Sequence, residues 1–313
     1  MSTIVVLGSV NMDVVATAPR FPQPGETISG TRFVTAPGGK GANQAVAAAR
    51  LGAHVVMIGR VGSDVFGKQL LDSLKGNGVD TSGIVRDRRN HSGIAHITLN
   101  AQGQNTIIVV PGANGACGQA EVVRAVAALA PGSDRGLEGA SALMLQLEIP
   151  VEVSLAAARE AVRLDVPVIL DPAPANPIPE ELFKLASYLT PNETEAQALV
   201  GFPVTDAPSA QRAARQLLRR GAGCVVIKMG GLGAYYACTY GGEFLPALAV
   251  EVVDTVAAGD AFNGALAVAL AEGVELRDAM TWAMAAGALA VTKPGAQDSM
   301  PHRGELEEFL KGR

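Results

Sequence analysis

Short uninterrupted runs of Val, Ile and Leu alternate along this chain with alanine-rich stretches long enough for helices. The clear runs are 3–8, 55–59, 142–146, 166–171 and 224–228. Their apolar residues are continuous rather than interleaved with polar ones, as in strands covered on both faces. Helix candidates lie at 42–51, 66–75, 120–129, 152–164, 209–220, 260–272 and 276–291. Such alternation builds right-handed crossovers, so the pattern predicts an α/β fold: a doubly wound, mostly parallel sheet with helices on both faces.

Two stretches break the rhythm. Residues 14–36 read as two extended pieces joined by a Pro-rich turn, and 93–110 as a hairpin turning at 100–104. Neither has a helix to cover its second face, so together they predict a small β-sheet lid. The α/β core is then 1–13, 37–92 and 111–313. An apolar face on such a sheet calls for a partner, and a homodimer through the lid is expected.

The 313 residues suffice for a large core and exclude a small disulfide scaffold. A net charge of −5 argues against a nucleic-acid surface. Cys117, Cys224 and Cys238 are odd in number and lack C-x-x-C or metal spacing, so they are expected to be reduced thiols in a cytoplasmic protein. The chain opens without a basic start and long apolar run, and its longest charge-free apolar stretch, 279–292, is too short for a bilayer, so neither export nor membrane insertion is expected. His54, His91, His96 and His302 are scattered and suggest no metal site, and Trp282 reads as core. Arg215, Arg219 and Arg220 suit a solvated helix end.

Ligands of open parallel sheets bind beyond the carboxyl ends of the strands. There the chain carries Asn11 and Asp13, then Glu148, Asp171, Asn192 with Glu195, and Gly230 to Gly233. Short polar side chains at such ends can bond sugar hydroxyls, although each alone reads more readily as turn or cap chemistry. Gly38-Gly39-Lys40-Gly41-Ala42-Asn43 opens a helix with three glycines that let a ligand approach the backbone. It is no Walker A loop, and no G-x-G-x-x-G follows a strand, which weighs against a dinucleotide enzyme. Asp254-Thr-Val-Ala-Ala-Gly-Asp260 joins an extended segment to a long helix. Small residues there expose unpaired N–H groups suited to a phosphate, with Asp260 in the first turn.

These two segments resemble the paired signatures of the ribokinase (PfkB-type carbohydrate kinase) family. The resemblance covers nearly the whole chain, with further matches at 9–13, 144–148, 172–175, 190–195 and 295–297. It implies transfer of the ATP γ-phosphate to the 5-hydroxyl of D-ribose. A deoxyribokinase, fructokinase, adenosine kinase or pseudouridine kinase of the same family is the alternative. By the same resemblance Asp260 is the base, and Ala257, Ala258, Gly259 and Asp260 supply the anion hole. Asn11, Asp13, Gly38, Gly39, Lys40, Asn43 and Glu148 hold the sugar. Asn192 and Glu195 serve Mg²⁺ and phosphate. Lys228, Met229, Gly230, Gly231, Leu232, Gly233, Gly259 and Met284 border the nucleotide, Met284 standing where relatives often carry a polar residue. An activating K⁺ is implied beside Asp254, Val256, Ala290, Lys293, Gly295 and Ser299, mostly through carbonyls.

Overall fold

The apolar runs become the strands of a nine-stranded sheet in this computed structural model, which describes residues 2–131, 139–239 and 241–312. Met1, 132–138, Tyr240 and Arg313 of the expected core lie outside the described residues. The chain enters along β1 (Thr3–Leu7), buried throughout, then leaves the main sheet through β2 (Asn11–Thr17) and β3 (Arg32–Gly38). It returns by α1 (Lys40–Arg50) to β4 (His54–Gly62), and α2 (Val65–Gly76) leads to β5 (Asp80–Asp87). A second excursion makes β6 (Gly93–Leu99) and β7 (Asn105–Val110), followed by α3 (Gln119–Leu129).

The chain then fills the other flank of β1. It runs through β8 (Ala142–Leu145), α4 (Val151–Arg163), β9 (Val168–Leu170), α5 (Glu180–Leu185), β10 (Tyr188–Leu189), α6 (Glu193–Val200) and α7 (Ala207–Arg219). It reaches β11 (Cys224–Lys228), β12 (Gly233–Cys238) and β13 (Gly241–Pro246) before α8 (Ala258–Ala271), α9 (Leu276–Ala290) and α10 (Arg303–Lys311).

The sheet order is β13-β12-β11-β10-β9-β8-β1-β4-β5, parallel from β11 to β5 and antiparallel at the β12–β13 edge. Successive side chains of β1 feed opposite cores. Val5 and Leu7 join the cluster beneath α3 and α4, while Ile4 and Val6 join the one beneath α1 and α8. The winding reverses between β1 and β8, and a crevice opens at such a switch point beyond the strand ends.

The second sheet has the order β3-β2-β6-β7. It starts at Asn11 and closes at Gly38, so Asn11, Met12, Asp13, Pro37 and Gly38 belong to it and not to the core side of the expected boundaries. Several elements escape the sequence pattern: β5 is a polar edge strand, β12 and β13 form a glycine-containing edge hairpin, and α5, α6 and α10 are short. Segment 249–253, expected to be extended, forms no strand; Val253 N–H donates to Val291 C=O at 2.8 Å.

One expectation is corrected. Cys224 and Cys238 are not reduced thiols but a disulfide, because the antiparallel register of β11 and β12 sets them directly opposite. Their 14-residue spacing carried no signal of this while β12 was unread as a strand. Cys117 is free and buried. Trp282 is half-buried rather than core, with the Arg303 guanidinium 4.4 Å above its ring. Arg215 and Arg219 are exposed, whereas Arg220 pairs with Glu180 and covers the Phe183 ring. Among the described residues no helix is long and apolar enough to cross a membrane.

Candidate active site

Helix α8 begins at the crevice. Its N-cap, Ala257, has φ 58°, a left-handed conformation uncommon outside glycine and frequent where the chain serves a site. The turn closes partly on itself: Ala258 N–H reaches Thr255 C=O at 3.4 Å and Asp260 N–H reaches Ala257 C=O at 3.0 Å. Among the described residues this leaves Ala257 and Gly259 N–H without a partner, so the expected four-donor anion hole narrows to two. A side chain on Gly259 would come within 3.5 Å of the Lys228 ammonium, which therefore stands over the helix start.

Asp260 is buried in the first turn of α8. Its Oδ2 accepts from Asn43 Nδ2 and its Oδ1 from Gln44 Nε2, both at 3.0 Å. Those donors come from α1, which starts at Lys40 because Gly39, at φ 91°, makes the sharp entry from β3. A Cβ at Gly39 would lie 2.7 Å from Asn11 N, so only glycine fits. Gln44 Nε2 also donates to Asp171 Oδ2 at 2.9 Å, and Lys228 Nζ donates to Asp171 Oδ1 at 2.9 Å. Gln297 Nε2 donates to Asn43 Oδ1 at 3.3 Å.

A cavity of about 250 Å³ joins these groups, lined by Lys40, Asp171, Asn192, Glu195, Lys228 and the helix start at Ala257, Ala258, Gly259 and Asp260. Lys40 N–H donates to Glu148 Oε2 at 3.0 Å, and Ser9 Oγ bonds the same oxygen. Asp13 stands over Gly38, where a Cβ would meet Oδ2 at 2.5 Å. Asn11 Oδ1 accepts from Asn114 Nδ2 at 2.7 Å.

The electrostatics follow from crowding carboxylates in a buried crevice. Burial pushes Asp260 up to about 6, the Asp171 charge adding to the rise while Lys40, Asn43 and Gln44 oppose it. Burial, then Glu148 and Asp260, push Asp13 up to about 7. Burial disfavours the Lys40 ammonium, but Asp260, Asp171, Glu148 and Glu195 outweigh it and hold the charge firmly on. Glu195 is raised by burial and by Asp171.

The remaining expected residues sit around this centre. Asn192 caps α6, its Oδ1 accepting from Glu195 N–H while Glu195 Oε2 accepts from Asn192 N–H, both at 2.8 Å. Met229, Gly230, Gly231, Leu232 and Gly233 form the turn between β11 and β12, with Leu232 exposed. Met284 is half-buried against the apolar cluster that includes Phe262, Leu266 and Met280. Asp254 clamps two loops, Oδ1 taking Val256 N–H at 3.0 Å and Oδ2 taking Gly295 N–H at 2.9 Å. Ala290 ends α9, the Lys293 ammonium turns to Glu305, and Ser299 Oγ donates to Ala296 C=O. Gln44 and Asn114 were missed. Gln44 follows Asn43 directly in the glycine segment and could have been read with it, whereas Asn114 meets Asn11 across 103 residues without any local signal.

A family model for the pfkB family carbohydrate kinases matches residues 1–303. The chain is 43% identical over 310 residues to a ribokinase of Bacillus subtilis, covering 99% of this chain and 100% of the relative. It is 40% identical to a ribokinase of Haemophilus influenzae, covering 99% and 98%. The structure of Arabidopsis thaliana ribokinase complexed with ribose and ATP superposes with a TM-score of 0.90 at 34% identity, each chain covered to 99%.

Proposed function

The chain belongs to the pfkB family of carbohydrate kinases, and from that premise we propose that it transfers the γ-phosphate of ATP to the 5-hydroxyl of D-ribose, giving D-ribose 5-phosphate. The observation that carries the chemistry is Asp260, a buried carboxylate at a helix N-terminus with two amide donors fixing its oxygens. With its pKa near 6 it is mainly ionised at neutral pH and can take the hydroxyl proton as that oxygen attacks phosphorus. Lys228 and the N–H groups of Ala257 and Gly259 offset charge on the transferring phosphoryl group. Asp13 and Glu148 accept from ribose hydroxyls, while Asn11, Lys40 and Asn43, with the backbone at Gly38 and Gly39, complete the sugar pocket. The β11–β12 turn and Met284 border the nucleotide.

The carboxylates of Glu195 and Asp171 give hard oxygen donors on the cavity wall, which fits Mg²⁺ held largely through water. Asn192 keeps Glu195 aimed through its cap. For K⁺ the fit rests on Asp254, whose oxygens already tie the 254–256 turn to Gly295; the family resemblance adds carbonyls of Val256, Ala290 and Lys293 and the Ser299 side chain. Bound there, the ion supplies fixed positive charge that stiffens the turn leading into α8.

The deciding experiment is a phosphorylation assay over ribose, 2-deoxyribose, fructose and adenosine, run with and without K⁺. Ribose preference is expected; a preference for another acceptor overturns the substrate assignment. At constant ionic strength the ribose rate is expected to rise with KCl against a tetramethylammonium salt, with Na⁺ weaker. Asp254→Ala is expected to lose this response, and a wild type indifferent to K⁺ removes the cation site.

The small sheet supports a homodimer. Strand pairing puts Phe33 and Ile108, from opposite edge strands, on one face with Val110, and all three are exposed. Asp13 and Val109 share the other face. Ile108→Glu is expected to turn a dimer into a monomer in sedimentation; an unchanged mass moves the interface elsewhere.

A further inference from the structure

We propose that Gln44 is a positioning residue that aims the Asp260 carboxylate, a role that rests on Asp260 being the base. Gln44 is 1% exposed and lies one turn into α1. One nitrogen serves two carboxylates: Nε2 donates to Asp260 Oδ1 at 3.0 Å and to Asp171 Oδ2 at 2.9 Å. Two ionised carboxylates only accept, so the amide must turn its NH₂ toward them. Its Oε1 then needs a donor, and Gln146 Nε2 supplies it at 2.6 Å.

The arrangement is costly at its far end. Gln146 Oε1 is buried and has no partner among the described residues. It sits where a side chain on residue 8 would be, since a Cβ at Gly8 would lie 2.1 Å from it. An apolar side chain would fill the position of Gln146 without an unmet acceptor, so packing alone does not account for a glutamine there. Fixing the Gln44 amide does account for it. A local rule broken beside a reaction centre is the pattern expected of a functional device.

The consequence for Asp260 is geometric and electrostatic. Asn43 holds Oδ2 and Gln44 holds Oδ1, so the carboxylate cannot swing about its bond, and its free lone pairs stay directed into the cavity. The groups facing Asp260 are Lys40 of α1, Asp13 of β2, Asp171 after β9, Glu195 of α6 and Lys228 of β11. Gln44 is the neutral donor between two like charges in that set. Losing it leaves Asp260 free to turn and favours the protonated form. The acid limb of turnover then moves to higher pH.

The test uses Gln44→Met and Gln146→Met, which keep volume and remove the amides, with Asp260→Asn as control. For Gln44→Met, kcat is expected to fall on the order of 10- to 10²-fold, as misplacement of a reacting group does. The ribose KM should stay within about threefold, as for a contact that matters only in the transition state. The acid limb of the kcat–pH profile should rise by about one unit. Gln146→Met should move the limb the same way by less. A merely structural role lowers the melting temperature without moving the limb. Unshifted limbs in both variants overturn the proposal, and if Gln44→Met does not fold, the limb of Gln146→Met decides alone. An active Asp260→Asn would instead sink the base assignment; an inactive one with unshifted glutamine variants sinks this inference only.

Discussion

Asp260→Asn is expected to lower turnover by at least about 10²-fold while leaving ribose binding nearly intact. Asparagine keeps the shape of the side chain but cannot take a proton at neutral pH. The site also dictates a secondary effect. Both Asp260 oxygens accept from amide NH₂ groups, so an NH₂ at residue 260 must face Asn43 or Gln44 donor to donor. One of those amides has to turn or give up its bond, a modest loss of stability that a melting curve will register. Ribose titration calorimetry separates that loss from the chemistry: binding should persist where turnover does not. In the wild type the base must be ionised, so activity should rise as pH increases through about 6. A variant that retains more than about a tenth of wild-type turnover would exclude Asp260 as the base, because general-base losses are larger than that.

The parallel core is legible because burial on both faces leaves no polar residue in β1, β8 or β9 other than Thr3 at the start of β1. Where one face meets solvent the signal fades. Strand β5 reads Asp-Thr-Ser-Gly-Ile-Val-Arg-Asp, and β13 begins Gly-Gly, so neither shows a period. Helix α6 follows a two-residue strand, and in the sequence its Asn192 and Glu195 read as a motif rather than as the capping box that starts a helix.

The site divides in the same way. Glycines at Gly38 and Gly39 mark close approaches, and those are local properties a sequence displays. What it does not display is which polar groups meet. Gln44 and Asp260 are 216 residues apart, and Asp171 joins them only because β9 ends beside β8, one strand from β1. Asp171 was visible as a strand-end carboxylate, yet its bonds to Gln44 and Lys228 are made by the sheet order.

Asp13→Asn is expected to weaken ribose binding strongly and, in the empty protein, to raise stability at alkaline pH. Asp13 leaves the main sheet on β2 and faces Glu148 and Asp260, which with burial push it up to about 7. Its folded pKa therefore exceeds the unfolded value of about 4. The folded state binds this proton more tightly, so the contribution to stability is present below about pH 4 and is lost as pH rises through about 7. Asparagine carries no charge and should remove that part of the decline. At pH 8 the variant should melt at least about 2 °C above the wild type, and near pH 4 the two should converge. Ribose reverses the order. In the proposed pocket the carboxylate accepts from sugar hydroxyls, and leaving such donors unpaired costs about 1–3 kcal/mol, or roughly 5- to 150-fold in affinity. The KM for ATP should hardly move, because the proposed role of Asp13 is on the sugar alone. Parallel melting curves across pH would mean the Asp13 charge carries no strain, and equal weakening of ribose and ATP would make Asp13 a structural residue at the base of the small sheet. The two expected results together have one cause: a charge held unfavourably in the empty crevice, where the sugar's hydroxyls are the donors it lacks.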